Sequence, residues 1–145
     1  MAKLINTHGE VANTPLTQVT FEQWQASPNG NSLELFLSSD QTADLIGDQC
    51  KSFARICIDF PKFSDGRGYS AARLLRERYG FNGELRAVGD VLIDQLFFMK
   101  RCGFDTFALR DDQVLEDALA AFSTFSVSYQ NDVLDQKPLF RRRMN

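Results

Sequence analysis

From Ser32 onward the chain alternates short apolar runs with longer stretches in which apolar residues recur at helical spacing. Leu33-Glu34-Leu35-Phe36-Leu37 has the period of a strand, and Ser38-Ser39-Asp40 supplies an N-cap for a helix entered through Ala43-Asp44-Leu45-Ile46. Arg55-Ile56-Cys57-Ile58-Asp59-Phe60 predicts a second strand, which Pro61 ends because proline has no N–H to give a ladder. Ala71, Ala72, Leu75 and Tyr79 then mark the apolar face of a helix, with Arg73, Arg76, Glu77 and Arg78 on the other face and Gly80 as its stop. Glu84 to Val88 reads as a strand, Gly89-Asp90 as turn and cap, and Val91 to Cys102 as a third helix closed by Gly103. Thr106 to Leu109 predicts a fourth strand. Asp111-Asp112 cap a helix carrying Val114, Leu115, Ala118, Leu119 and Phe122, and Val127 to Gln130 predicts a fifth strand.

Strands that alternate with helices in this way imply an α/β fold, in which repeated β-α units build a mostly parallel sheet. The units are too few for a complete eightfold barrel, so the candidates are an open doubly wound sheet and a half-barrel. Residues 32–130 form the α/β domain in this reading, 131–145 a tail, and 1–31 an N-terminal segment in which Phe21 and Trp24, three positions apart, dock a short helix or turn. In the third helix, Leu92, Ile93, Leu96, Phe97, Phe98 and Met99 leave little polar face. That predicts either a deep core helix or an oligomer or partner contact through Phe97 and Phe98.

Charge and composition narrow the function classes. Sixteen basic against nineteen acidic residues among 145 give a net charge of −3, which provides no broad basic surface for nucleic acid. Arg141-Arg142-Arg143 reads as a solvated terminal cluster. No apolar run approaches a membrane span and no N-terminal export signal is visible, so the expectation is a cytoplasmic protein without membrane contact. Cys50, Cys57 and Cys102 lack zinc-ligand spacing and read as reduced core thiols, and the single histidine, His8, sits in a polar stretch unsuited to triad chemistry. No metal and no cofactor is assigned.

Candidate chemistry collects where the strands end, because ligands of parallel sheets gather at their carboxyl ends. Those ends present Ser38-Ser39-Asp40, Asp59 to Lys62, Gly89-Asp90 and Arg110-Asp111. Asp40, Asp90 and Asp111 also stand where a helix needs a cap, whereas Asp59 ends its strand too early to cap the next helix. Asp59 is therefore read either as an ion-pair partner of Lys62 or Arg67, or as a reactive or ligating carboxylate. In the loop Lys62-Phe63-Ser64-Asp65-Gly66-Arg67-Gly68, the cations Lys62 and Arg67 with the backbone of Gly66 and Gly68 suit a small oxyanion, though Gly66-Arg67-Gly68 matches no phosphate fingerprint. The ligand set is Lys62, Asp65, Gly66, Arg67, Gly68 and Arg110, and Asp59 and Asp90 are the candidate catalytic pair.

The run from Asp59 through Tyr79-Gly80, then Gly83 to Leu92 and Asp94-Gln95-Leu96-Phe97-Phe98-Met99-Lys100-Arg101-Cys102-Gly103-Phe104-Asp105, resembles a bacterial family of unknown function. The likeness covers residues 33–130 and is strongest over 59–110. Members of that family are described as oxidoreductases of sulfite reduction because they tend to be encoded beside an assimilatory sulfite or nitrite reductase haemoprotein. The resemblance implies an accessory role in sulfur assimilation, acting through that reductase or on a small oxyanion. It carries no catalytic residues across. The chain has no cysteine set for sirohaem or an iron–sulfur cluster and no dinucleotide fingerprint. A stand-alone enzyme using strand-end carboxylates, and a self-associating interaction module, are the alternatives.

Overall fold

The computed structural model of the protein describes residues 3–8, 16–26, 34–62 and 66–128. Six strands, β1 (Lys3–Asn6), β2 (Gln18–Thr20), β3 (Glu34–Leu37), β4 (Arg55–Phe60), β5 (Glu84–Gly89) and β6 (Thr106–Leu109), form one sheet in the order β1-β6-β5-β4-β3-β2. β2 to β6 are parallel and lie in chain order, whereas β1 pairs antiparallel with β6, Lys3 opposite Leu109. The order of the parallel strands never reverses, so the sheet has no topological switch point. Of the two architectures the sequence leaves open, this succession is that of the half-barrel.

Helices α1 (Phe21–Ala26), α2 (Arg67–Glu77), α3 (Leu96–Cys102) and α4 (Leu115–Ser128) cover the sheet. The period-2 alternation of the strands decides which face they cover. Leu35, Leu37, Ile56, Ile58, Phe60, Leu85, Ala87, Phe107 and Leu109 join the buried residues of the helices in one core. Aromatic contacts bind its parts: Trp24 on Phe53 at 5.5 Å, Phe60 on Tyr69 and Phe104, and Phe107 on Phe122 at 5.4 Å between ring centres. No helix among the described residues is long and apolar enough to cross a membrane.

Several elements differ from the sequence pattern, each for a local reason. The helix expected after Asp40 is two 3₁₀ segments, Ala43–Leu45 and Gly47–Ser52. Gly47, the first residue of the second, has φ 57°, a value outside any right-handed helix, so the two cannot merge into one helix. The third helix is shorter than Val91 to Cys102 because its expected first turn is bonded elsewhere. Arg110 N–H donates to Val91 O, the Gln113 amide oxygen accepts from Ile93 N–H, and Leu92 is extended. After a 3₁₀ turn at Ile93–Gln95, α3 begins at Leu96 and ends at Gly103, whose φ of 114° closes it. Val127 and Ser128 continue α4 instead of opening a fifth strand, and Tyr129 and Gln130 lie outside the described residues. The sheet edge beside β6, where such a strand would add, is taken by β1. The N-terminal segment thus gives two strands to the sheet, while Phe21 and Trp24 are buried on α1 as their spacing predicts.

Candidate functional site

The carboxyl ends of the strands carry two groups of polar side chains. In the first, the loop after β3 faces α2 across a cavity of about 250 Å³. From α2 come Arg67, Ser70, Ala71 and Leu74, which at i, i+3, i+4 and i+7 form one helix face. The loop contributes Ser39, Asp40 and Ala43. Ala43 and Ala71 are buried, whereas Asp40, Arg67 and Ser70 are exposed, so the cavity has an apolar floor and a charged rim. Arg67 Nη2 donates to Ser39 Oγ at 3.1 Å. The hydroxyl of Ser38 donates to Asp40 and is the main cause of a carboxyl pKa below its ordinary value, with its own backbone N–H and Arg67 adding to the effect. Asp40 is not a helix cap here, since Thr42 holds that position.

Gly66 is the N-cap residue of α2 and provides no side-chain cap. A Cβ there would meet nothing within 4 Å. Gly68 is different: a Cβ would lie 2.6 Å from the Phe60 ring and 3.1 Å from Ile58 Cγ2, so its missing side chain is what lets α2 lie close on β4. Lys62 is exposed just beyond β4, and Asp65 lies outside the described residues.

The second group joins the ends of β5 and β6. Arg110 Nη1 donates to Asp90 Oδ1 at 2.7 Å, while its Nε and Nη2 grip both oxygens of Asp112 at 2.7 and 2.8 Å. This fork holds the Asp112 carboxyl down at about 2 and, through Asp112 first and then Asp90, raises the guanidinium further. Asp90 therefore serves Arg110 instead of capping α3, and α4 begins at Leu115, too far along for Asp111 to cap it. Asp59 is half-buried next to this group. A Cβ at Gly89, where φ is 92°, would stand 2.5 Å from Asp59 Oδ1 and 2.6 Å from Phe60 O, so only glycine admits that approach. Asp59 and Asp90 thus lie on neighbouring strand ends, with Asp90 already in an ion pair. Arg67 and Arg110 serve separate groups.

Two charged clusters escaped the sequence reading, and both lie away from these strand ends. Arg76 of α2 has a side chain only 8% exposed and donates to Phe81 O, Gly83 O, Gly103 O and the Asp105 carboxylate. Burial raises the Asp105 pKa, and Arg76 works against that rise. On the sheet face opposite the core, a ladder runs Gln18, Glu34, Arg55, Glu84, Arg86, Thr106 across β2 to β6. Burial opposes ionisation of Glu84, but the Thr106 hydroxyl, then Arg86 and Arg55, prevail and hold its pKa below the ordinary value. Cys57, buried in the same face, has its thiol pushed well up by burial and by Glu34, as befits a packed thiol. The alternation Arg55-Ile56-Cys57-Ile58 was the available signal for the ladder, since a strand charged on one side only must place those charges together. No group of three or more His, Cys, Asp or Glu among the described residues could hold a metal ion.

The match to known families covers residues 34–140, from β3 through α4 and beyond, well over half of the chain. The chain belongs to the family described as Bacterial protein of unknown function (DUF934). Both polar groups at the strand ends, the Arg76 cluster and all of the ladder except Gln18 fall within the span that defines DUF934. Neither the curated proteins nor the solved structures gave a match.

Proposed function

We propose that the protein is a cytoplasmic accessory protein of assimilatory sulfite reduction. It holds a small oxyanion where β3 ends and α2 begins, and it acts together with the reductase haemoprotein. The observation that carries the anion part is Arg67, an exposed guanidinium on the first turn of α2, at the rim of a cavity. A guanidinium offers several N–H donors to an anion, and the first turn of α2, which has no side-chain cap, adds its partial positive charge. The pathway part rests on the family resemblance. A deletion strain is expected to grow poorly on sulfate or sulfite and normally on cysteine, with Arg67→Ala failing to restore growth. Equal growth of the deletion strain on all three sulfur sources would remove the pathway assignment.

The exposed ring of Phe98 favours a second, compatible role as a contact surface. It is 49% exposed and stands edge-on to Tyr69 at 4.7 Å. The stand-alone enzyme reading relies on Asp59 and Asp90 working together, and the pairing of Asp90 with Arg110 weakens it.

A further inference from the structure

The cavity between α2 and the loop after β3 offers more than a cation. Its rim carries one positive group, Arg67, and one negative group, Asp40, which the Ser38 hydroxyl engages. Its floor is Ala43, Ala71 and the partly buried Leu74. A bare inorganic oxyanion would meet Arg67 favourably, but it would also meet the Asp40 carboxylate, which repels it, and it would leave the apolar floor unfilled. An aliphatic carboxylate would fill the floor and still face the same carboxylate. A ligand bearing both an anionic and an ammonium group on a short carbon skeleton satisfies all three parts of the site.

We infer that this cavity binds a small zwitterion of the α-amino acid type, its anionic group on Arg67 and Ser39, its ammonium on Asp40 and its short aliphatic side chain over Ala43, Ala71 and Leu74. The volume fits that size. At about 250 Å³ the cavity lies just below the roughly 300–1,000 Å³ of pockets for drug-sized ligands. Three of the four side chains on the lining face of α2, Ser70, Ala71 and Leu74, are short or apolar, which leaves Arg67 as the helix's charged contribution. Gln41, also in the lining, is already engaged: its amide oxygen accepts from Ser38 N–H and its amide nitrogen donates to Glu22, so it braces the loop.

This inference rests on the reading that Arg67 holds an anion, and the test separates the two. The full-length protein is titrated with L-2-aminobutyrate, butyrate, propylamine and inorganic sulfite, following the backbone amide signals of Ser70 to Leu74 by NMR. L-2-aminobutyrate is expected to saturate these shifts at least about tenfold more tightly than butyrate, propylamine or sulfite. Asp40→Asn should abolish the preference of the zwitterion over butyrate, and Arg67→Gln should abolish binding of both. Both side chains are exposed, and the wild-type comparison of the four probes stands without either variant. Equal binding of butyrate and L-2-aminobutyrate, or binding of sulfite alone, would overturn the zwitterion while leaving the anion site intact. Saturation by none of the four would overturn both.

Discussion

Arg76 shows how far one side chain can depart from its place in a pattern. Its position on α2 puts it among Arg73, Glu77 and Arg78, the outward face, yet its guanidinium reaches around the end of the helix to three carbonyls in two segments and a carboxylate. Hydrophobic periodicity assigns faces to Cβ atoms, and a long side chain can carry its charge several ångströms from there. Arg76→Ala should cost about 1–3 kcal/mol, the usual loss when partly buried acceptors are left without their donor, and Arg76→Lys should recover little because an ammonium cannot reproduce the guanidinium fork. Urea unfolding followed by circular dichroism measures both, and a loss below about 1 kcal/mol for the alanine variant would show the cluster to be dispensable. Glu84 gives a prediction with a sign. Its folded pKa is below the ordinary 4.5, so the stability it contributes is present above that value and lost as pH falls through the depressed folded value. Glu84→Gln should therefore flatten the fall in urea midpoint below about pH 4.5, and an unchanged acid limb would refute the linkage.

At the scale of elements, strands were easier to read than helix starts. β3 to β6 lie where period-2 apolar runs put them, because one face of each is core. Helix starts depart from the pattern because Asp40 and Asp90 suit caps by residue type, but the Ser38 hydroxyl in the same loop and the Arg110 guanidinium from beyond β6 claim their carboxylates. Of the candidate site, the strand-end location and Arg67 were legible. The role of Gly68 was not, since nothing local tells a glycine that admits an anion from one that admits a neighbouring ring. Phe60 is fully buried between Tyr69 and Phe104 and cannot yield to a new methyl group at Gly68. Helix propensity alone would make Gly68→Ala favourable by up to about 1 kcal/mol. The clash should reverse the sign, giving a loss of about 1–3 kcal/mol that Phe60→Leu partly relieves in the double variant. A stabilised Gly68→Ala protein in thermal unfolding would disprove the close approach of α2 to β4.

For the molecule as a whole, chain-ordered parallel strands put every crossover helix on one face and leave the other to the charged ladder. This follows from the number and order of units, and the sequence displays the units without their order. Phe98 belongs to this scale too, because its ring packs on Tyr69 yet leaves 49% exposed for another molecule to meet. Phe98→Glu should cost no more than about 1.5 kcal/mol of unfolding free energy, the worth of the lost Tyr69 contact, while lowering the mass of any complex seen by sedimentation. An identical sedimentation profile would make Phe98 a bystander. The antiparallel pairing of Lys3 to Asn6 with Thr106 to Leu109 bears on how the protein is made. During synthesis β1 leaves the ribosome roughly a hundred residues before its partner, a wait of about 5–20 s at ordinary translation rates. Until β1 returns, β6 presents a bare edge whose unpaired backbone N–H and C=O groups invite pairing with another nascent chain. The strand made first can take its place only once β6 has been made, and it then covers the sheet edge beside β6.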